Sequence, residues 1–305
     1  MRFPDGNRFA FSIVDDTDDS RIDNVKPIYD LLAELSCFTT KTVWPEPCPE
    51  GSPLYFAGAT LDDPEYRDFC LGLQKQGFEI TWHCATMESS TRERTVRGLE
   101  TFRAVFGHYP SVHVNHGQNR ENLYWGAARY RTPLRLVAAL RQDRRVHFEG
   151  ELERSPYFWG DLCVRHMQFI RNFTFRNVNT LKCDPHTPYR LRSTPFVNLW
   201  FSATDAPDAE AFKALVTPQA LDRLSEEGGV CILATHLGKE FVQRGVVDPV
   251  VEATLRHLAQ LPVWVAPVST VLHHLISEGR GGYLTPAELL ALEWRHAWDR
   301  RRRHS

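Results

Sequence analysis

The chain has 305 residues, of which 42% are hydrophobic and 24% are charged, and its formal net charge is −2. These proportions are typical of a folded globular protein and exclude a disordered chain. A net charge this close to zero also argues against nucleic acid as a main partner. No stretch reaches the ~18 consecutive apolar residues of a membrane span, so we expect no transmembrane segment. The first residues of the sequence contain no apolar signal-peptide core, which favours a cytoplasmic location.

Seven cysteines are scattered along the chain, and none of them forms a C-x-x-C pair. This spacing argues against a zinc ribbon and against a thioredoxin-like motif. Single cysteines are typical of a reducing compartment. We expect buried thiols, with Cys84 as the one candidate for another role.

The first 119 residues alternate between strand and helix patterns. Phe9, Phe11 and Ile13 alternate with other residues at period two, which predicts a strand. Helical spacing of apolar residues follows, and Gly77 and Gly107 mark the ends of two further helices. The predicted order is strand 8–14, helix 25–35, strand 38–44, helix 64–76, strand 78–82, helix 91–106 and strand 111–115.

The segment from about 126 to 207 is irregular and rich in aromatic residues, Arg, Asn and Pro. We expect strands at 146–148 and 196–201 and a helix at 161–171. Beyond it the predicted elements are helix 218–226, strand 230–235, helix 249–260, strand 263–267, helix 269–277 and a C-terminal helix at about 285–303. Strands that alternate with helices indicate parallel strands joined by helical crossovers. We therefore predict a single α/β domain over residues 1–305, with an irregular insertion at 126–207.

Polar side chains follow four of the predicted strands, at the point where each strand ends. They are Asp15 and Asp16, then His83, then His113 and His116, and finally His236. Parallel α/β folds place the carboxyl ends of their strands on one face, so we expect these groups to converge. A carboxylate with imidazoles is a typical ligand set for Zn²⁺ or a similar divalent ion. A second Asp and a further His could then serve as general base and general acid.

Each group also has an ordinary structural explanation when it is taken alone. Asp15 and Asp16 lie in a DDTDDS run that is good capping material for the next helix. His83 could be an ordinary residue at a strand mouth, and His113 could bond a carbonyl in the core. His236 follows an apolar run that is typical of a buried parallel strand. The coincidence at four strand ends is what favours a site.

These motifs resemble those of the polysaccharide deacetylases, a family of metal-dependent carbohydrate esterases. SIVDDT at 12–17 is similar to the family's T-F-D-D-G strand end, and GFEITWH at 77–83 is similar to the strand that ends in a metal-binding His. ILATH at 232–236 resembles the late strand that ends in the catalytic His. The resemblance covers about 9–119 and 228–275. It implies a distorted (β/α) barrel of seven or eight strands.

The sequence departs from the family pattern at two places. The family's second metal-binding His lies four residues after the first, where this chain has Met87. The loop that usually reads R-P-P-Y-G is HVNHG at 113–117. We expect His116 or His113 to fill the vacant ligand position. The alternative is a metal-free, carbohydrate-binding relative that has lost its activity.

The resemblance implies a role for each matching residue. The implied metal ligands are Asp16 and His83 with His116 or His113, and Asp18 and Asp19 are the reserve ligands. The expected ion is Zn²⁺. Asp15 would act as general base on the attacking water. His236 would protonate the departing amine.

The implied activity is removal of an N-acetyl or related acyl group from a sugar or glycan. Side chains that suit a sugar by stacking or hydrogen bonding follow the predicted ligands. The substrate-binding candidates are Asn115, Asn119, Tyr124, Trp125, Trp159 and Asp161. Most of them have a structural explanation too, since aromatic residues fill cores and Asn residues shape turns. A different metal-dependent amide or glycoside hydrolase is the remaining alternative, and Asp161 would be the second carboxylate of a glycosidase.

Overall fold

Seven parallel strands close into a barrel in the computed structural model, which describes residues 2–52, 54, 57–143 and 145–301. The seven barrel strands are β1 Phe9–Asp15, β2 Thr40–Val43, β3 Glu79–Trp82, β4 Val112–His113, β5 Phe169–Phe175, β6 Leu199–Asp205 and β7 Gly229–Thr235. Three further strands are β8 Val242–Gln243, β9 Val246–Val247 and β10 Val263–Val265. The helices are α1 Ile22–Glu34, α2 Pro64–Gln76, α3 Arg92–Phe106, α4 Leu134–Arg141, α5 Gly160–His166, α6 Thr180–Cys183, α7 Ala209–Leu215, α8 Pro218–Glu227, α9 Pro249–Gln260, α10 Val268–Ser277 and α11 Pro286–Arg301. Short 3-10 helices lie at Pro4–Gly6 and Gly126–Arg129.

Strand β1 closes the barrel because it pairs on one side with β7 and on the other with β2. The β1–β7 ladder is parallel along its whole length, from Phe9 opposite Gly229 to Asp15 opposite Thr235. Strand β10 also pairs in parallel with the first residues of β1. The predicted distorted (β/α) barrel is therefore confirmed, and all carboxyl ends of the seven strands share one face.

Local sequence signals explain the regular half of the fold. Every residue of β1 is buried, as its apolar composition predicts for a strand packed on both faces. Helix α2 begins after Asp63, whose side chain accepts hydrogen bonds from the first turn, and ends at Gly77 in the left-handed conformation. Within the described residues, no helix combines the length and the apolar character needed to cross a bilayer.

The central region contributes more to the barrel than the sequence indicates. The strand expected at 146–148 is wrong, since those residues form no regular element. The helix expected at 161–171 ends at His166, and β5 begins three residues later. The segment treated as an insertion at 126–207 thus supplies all of β5 and β6. The C-terminal helix ends its described part at Arg301, and the predicted residues 302–303 lie outside the described residues.

The same region supports the loop that follows β4. The indole Nε1 of the fully buried Trp159 donates to the backbone oxygen of Glu121 at 2.6 Å. Gly150 lies against the same oxygen, because a Cβ at position 150 would stand 2.0 Å from it and 3.0 Å from the oxygen of Asn122. Only a residue without a side chain allows this approach.

We expect Gly150→Ala to lower the free energy of unfolding by at least about 2 kcal/mol, since the clashing atoms belong to the backbone and cannot rotate away. Gly72→Ala is the matched control, because Gly72 lies inside helix α2 with open space around its Cβ position. That substitution should raise stability by about 0.5–1 kcal/mol. Urea denaturation of both variants measures the difference, and equal effects would contradict the close contact.

Candidate metal and catalytic site

Five side chains from different strands meet at the carboxyl end of the barrel. Asp16 follows β1 directly, His83 follows β3, and His236 follows β7. Arg171 belongs to β5, and His116 lies in the loop after β4. The convergence that the strand-end pattern predicts is therefore present for Asp16, His83, His116 and His236.

A sixth side chain, Asp18, lies at the centre of the three histidines of this group. Its Oδ1 lies 3.3 Å from Nε2 of His83 and 3.4 Å from Nε2 of His116. Its Oδ2 lies 3.3 Å from Nε2 of His236 and 3.6 Å from the ammonium of Lys239. Burial opposes ionisation of Asp18, but the neighbouring imidazoles of His236, His83 and His116 outweigh it and hold its pKa below the ordinary range.

Aromatic packing and hydrogen bonds from one side chain hold His83 and His116 in place. The indole Nε1 of Trp44 donates to the backbone oxygen of His83 at 2.9 Å, and the Trp44 ring contacts both imidazole rings. The amide of Asn122 accepts from the N–H of His116 and donates to its carbonyl. The rings of His83 and His116 lie edge to face with centroids 5.1 Å apart. Both rings are therefore held in place before any ligand arrives.

The chain turns sharply between β1 and α1 to bring Asp18 back over the barrel. Asp19 has a positive φ of 59°, and its carbonyl accepts from the side chain of Asn24. Gly238 lies so close that a Cβ there would stand 2.7 Å from the backbone of Asp19 and Ser20. A glycine at 238 is thus required for the loop after β7 to pack on this turn.

Asp16 forms a second polar centre beside Asp18. Its two carboxylate oxygens accept from the two terminal nitrogens of Arg171 at 2.9 and 2.5 Å, and both side chains are buried. Burial favours the neutral acid, but the charges of Arg171, His83 and His236 outweigh it and lower the pKa of Asp16. The carboxylate stays ionised, and the fork of the guanidinium fixes its orientation.

His236 faces both carboxylates with one nitrogen. Its Nδ1 lies 2.6 Å from the backbone oxygen of Pro207, and because a carbonyl only accepts, Nδ1 carries a proton. Its Nε2 points to Asp18 and lies 3.9 Å from Asp16. Burial alone would lower the pKa of His236, but Asp18 and Asp16 stabilise the imidazolium and raise it.

Asp15, the expected general base, lies below the site and is fully buried. Its Oδ2 accepts from the hydroxyl of Tyr29 at 2.8 Å and from the ammonium of Lys41 at 2.9 Å. Its Oδ1 accepts from the backbone N–H of Leu237 at 2.7 Å. Because every described contact of this carboxylate is with another part of the barrel, the geometry favours a structural role.

The donor set of Asp18, His83 and His116 fits a divalent metal. One ligand atom from each residue lies within 4.8 Å of the others. Nε2 of His83 and Oδ1 of Asp18 are buried and make no hydrogen bond, which is costly unless another group binds them. Burial lowers the pKa of His116 to about 4, so its imidazole is neutral and able to ligate at pH 7. Two imidazoles and a carboxylate are typical zinc ligands.

The other predicted ligands lie outside this cluster. Nε2 of His113 pairs with the amide oxygen of Asn115 at 2.9 Å, and its ring packs edge-on against Trp159. Burial lowers the pKa of His113 to about 3. Cys84 is buried, with its sulfur directed at the amide of Asn122. Met87 fills a small apolar cluster with Trp44 and Cys48.

Most predicted substrate-binding residues are engaged by the protein itself. Asn115 bonds both the N–H and the carbonyl of Leu123. Asn119 donates to the backbone oxygens of Thr86 and Glu88. Trp159 is fully buried and holds the loop after β4, as described above. These contacts shape the walls of the site.

The remaining three candidates divide between the rim and the outer surface. Tyr124 is buried and its hydroxyl accepts from the N–H of Phe196. Trp125 is half-buried, and its Nε1 donates to the oxygen of Gly117 beside His116. Asp161 pairs through both oxygens with Arg92. Trp125 is therefore the predicted sugar contact that is both accessible and next to the site.

Two charged residues of this region, Arg171 and Lys41, were not among the predicted site residues. Arg171 is the one charged residue in FIRNFTF, the sequence of β5. A charge in the middle of a strand would have marked it as a candidate site residue, had that run been identified as a strand. Lys41 is a charged residue at the centre of the short strand TKTV, which is buried throughout. A cation inside a buried strand requires a carboxylate partner, so the position itself is the missed signal.

Comparisons with known proteins support the fold. No protein-family model matches the chain, and no curated protein matches it either. Among solved structures, a provisionally assigned polysaccharide deacetylase from Mycobacterium smegmatis has a TM-score of 0.54 at 14% identity, covering 93% of this chain and 96% of that one. The allantoinase PuuE has a TM-score of 0.52 at 12% identity, with 91% and 93% covered.

A third structure, a provisionally assigned polysaccharide deacetylase from Pseudomonas aeruginosa PAO1, has a TM-score of 0.51 at 14% identity. It covers 91% of this chain, and 94% of its own chain is covered. The expected resemblance to polysaccharide deacetylases is thus confirmed at the level of the fold. At identities this low, the site has to be argued from its own geometry.

We expect Lys41→Met to lower the free energy of unfolding by about 3–5 kcal/mol, because it leaves the carboxylate of Asp15 buried without its cation. The double variant Asp15→Asn/Lys41→Met removes both charges and should recover part of that loss. Guanidinium denaturation measures both values. A loss below about 1 kcal/mol for the single variant would show that the pair does not stabilise the barrel.

Proposed function

We propose that this protein is a metal-dependent hydrolase that removes an N-acetyl or related acyl group from a sugar or glycan. The observation that carries the proposal is the cluster of Asp18, His83 and His116, flanked by the ionised Asp16 and by His236, whose Nε2 faces both carboxylates. A metal-ligand set beside one base and one acid is the arrangement that amide hydrolysis requires.

Asp18, His83 and His116 would hold the metal, and Zn²⁺ is the ion that their chemistry fits best. Bound there, the ion would act as a Lewis acid toward the acyl carbonyl. Asp18 takes the ligand role that the sequence pattern gave to Asp16. His116 takes the position left vacant at Met87.

Asp16 is the general base in this proposal. Its carboxylate is ionised, and the Arg171 guanidinium holds it in one orientation through two hydrogen bonds. Oδ2 would receive the proton of the attacking water, since it lies on the side nearest His236. Arg171 is then a positioning residue, which keeps Asp16 out of the metal-ligand set by binding both of its oxygens.

His236 is the general acid. The carbonyl of Pro207 fixes the proton on Nδ1, so the second proton of the imidazolium is on Nε2, which faces the site. The two carboxylates raise the pKa of His236 and so favour the imidazolium, with its second proton on Nε2. Transfer of that proton to the amide nitrogen would allow the amine to leave as the bond between the acyl carbon and the nitrogen breaks.

A cytoplasmic location is part of the proposal, and the cysteines support it. All seven are free and buried. The thiol of Cys48 contacts another sulfur, that of Met87, at 3.4 Å. Free thiols throughout a chain are typical of a reducing compartment. A sugar precursor made inside the cell is then the simplest substrate.

A second candidate function rests on the allantoinase among the structural neighbours. Its name assigns that protein a substrate other than an acetylated sugar, and its barrel is as similar to this chain as the other two. Assays with N-acetyl sugars and with allantoin in parallel separate the two candidates, since both use the same purified protein.

We expect the purified protein to take up about one equivalent of Zn²⁺, measured by elemental analysis after dialysis. His83→Ala and His116→Ala should each lose the metal, because each removes one of three ligands. Asp161→Asn is the control, since Asp161 pairs with Arg92, and its metal content should be unchanged. No uptake by the unmodified protein would favour the metal-free, carbohydrate-binding alternative.

We expect Asp16→Asn to lower kcat for acetate release from N-acetyl sugars by at least about 100-fold, with the metal still bound. An amide keeps the shape of the side chain but accepts a proton poorly. The matched control is Asp19→Asn, because the Asp19 carboxylate is half exposed and its ion pair with Lys239 is long, at 3.9 Å. Comparable losses in both variants would contradict the assignment of the base.

A further inference from the structure

Helix α4, Leu134–Arg141, carries apolar side chains on two opposite faces. Leu134 and Ala138 pack against the core. On the outer face, Leu136 is 71% exposed and Leu140 is 87% exposed. A surface helix normally has a single apolar stripe directed inward, so the outer face lacks a partner. An exposed apolar patch of this kind marks a site of interaction.

The sequence around this patch is strongly positive. Residues 131–145 contain five arginines and one aspartate, a net charge of +4 in a chain whose total is −2. Arg135 and Arg141 are exposed, and neither forms an ion pair with another described residue. Arg145 pairs with Asp143, the one acid of the segment. The exposed leucines therefore share one helix with two exposed arginines that pair with no described carboxylate.

This charge decides between the possible occupants. In a two-fold contact between copies of the chain, the same patch would meet itself, and the two sets of arginines would repel each other. An anionic lipid surface instead attracts the arginines and accepts the leucines below the headgroups. We propose that α4 is a membrane-surface anchor, with Leu136, Val137 and Leu140 inserted at the interface of an anionic bilayer.

The anchor adjoins the candidate site through one short connection. Helix α4 packs on the 3-10 helix Gly126–Arg129. Trp125, the residue before that helix, bonds Gly117 in the loop that carries His116. Docking through α4 would therefore hold one wall of the barrel mouth beside the lipid. The proposed anchor depends neither on the proposed activity nor on metal binding.

Flotation with vesicles of phosphatidylcholine, alone or with one quarter phosphatidylglycerol, tests the anchor on the full chain. We expect binding to the anionic vesicles only, and we expect high salt to weaken it. Leu136→Gln/Leu140→Gln and Arg135→Gln/Arg141→Gln should each weaken binding about tenfold or more. Val246→Gln/Val250→Gln, which changes another exposed apolar pair (64% and 55% exposed) outside α4, should bind like the unmodified protein.

Three outcomes would overturn the proposal. They are no binding to anionic vesicles, equal binding by the α4 variants, and a dimer in gel filtration that becomes a monomer when the leucines are replaced. Thermal melting of each variant excludes unfolding as the cause of lost binding. His83→Ala should keep full vesicle binding, so failure of the proposed metal site and failure of the anchor give different results.

Discussion

The geometry of the site depends on the buried ion pair between Asp15 and Lys41. A charge inside the barrel costs several kcal/mol unless a partner neutralises it, so the two strands that carry the pair cannot shift independently. The same carboxylate also binds the hydroxyl of Tyr29 in α1 and the N–H of Leu237 after β7. Four segments are thereby fixed around one side chain. Asp16 and His236 are each the direct chain neighbours of these anchored residues, which is why their side chains meet.

Three carboxylates within four residues would repel one another if they shared a cavity without cations, and one of them would take up a proton. This chain avoids that by giving each carboxylate its own counter-charge. Asp15 has Lys41, Asp16 has Arg171, and Asp18 has His236 and Lys239. The three carboxylates also differ in their contacts, because Asp15 is bound by Tyr29, Lys41 and Leu237 inside the barrel, whereas Asp18 keeps an oxygen without a hydrogen bond.

Period-two and helical spacing predicted most of the barrel, but they failed where the chain leaves regular structure. Strand β5 was missed because Arg171 and Asn172 interrupt its apolar pattern. The charge of Arg171 is accommodated inside the barrel because it pairs with Asp16. The choice between His113 and His116 was open from the sequence, because β4 ends at His113 and strand alternation says nothing about the loop beyond it. Asp18 stayed a reserve ligand for a similar reason. Its position depends on the positive φ of Asp19 and on the close approach of Gly238, neither of which has a short-range signal.

On the proposed assignment, Met87 stands at a ligand position that is lost while the donor set is kept. Its side chain packs with Cys48 under Trp44, so the loop after β3 uses this position for the core. The ring of Trp44 in turn contacts both His83 and His116. The second imidazole then comes from His116, in the loop after the neighbouring strand β4. The apolar cluster around Met87 supports His116 through the ring of Trp44. The count of two imidazoles and one carboxylate is then preserved, and that count, more than the chain position of each donor, determines which metal the site can hold.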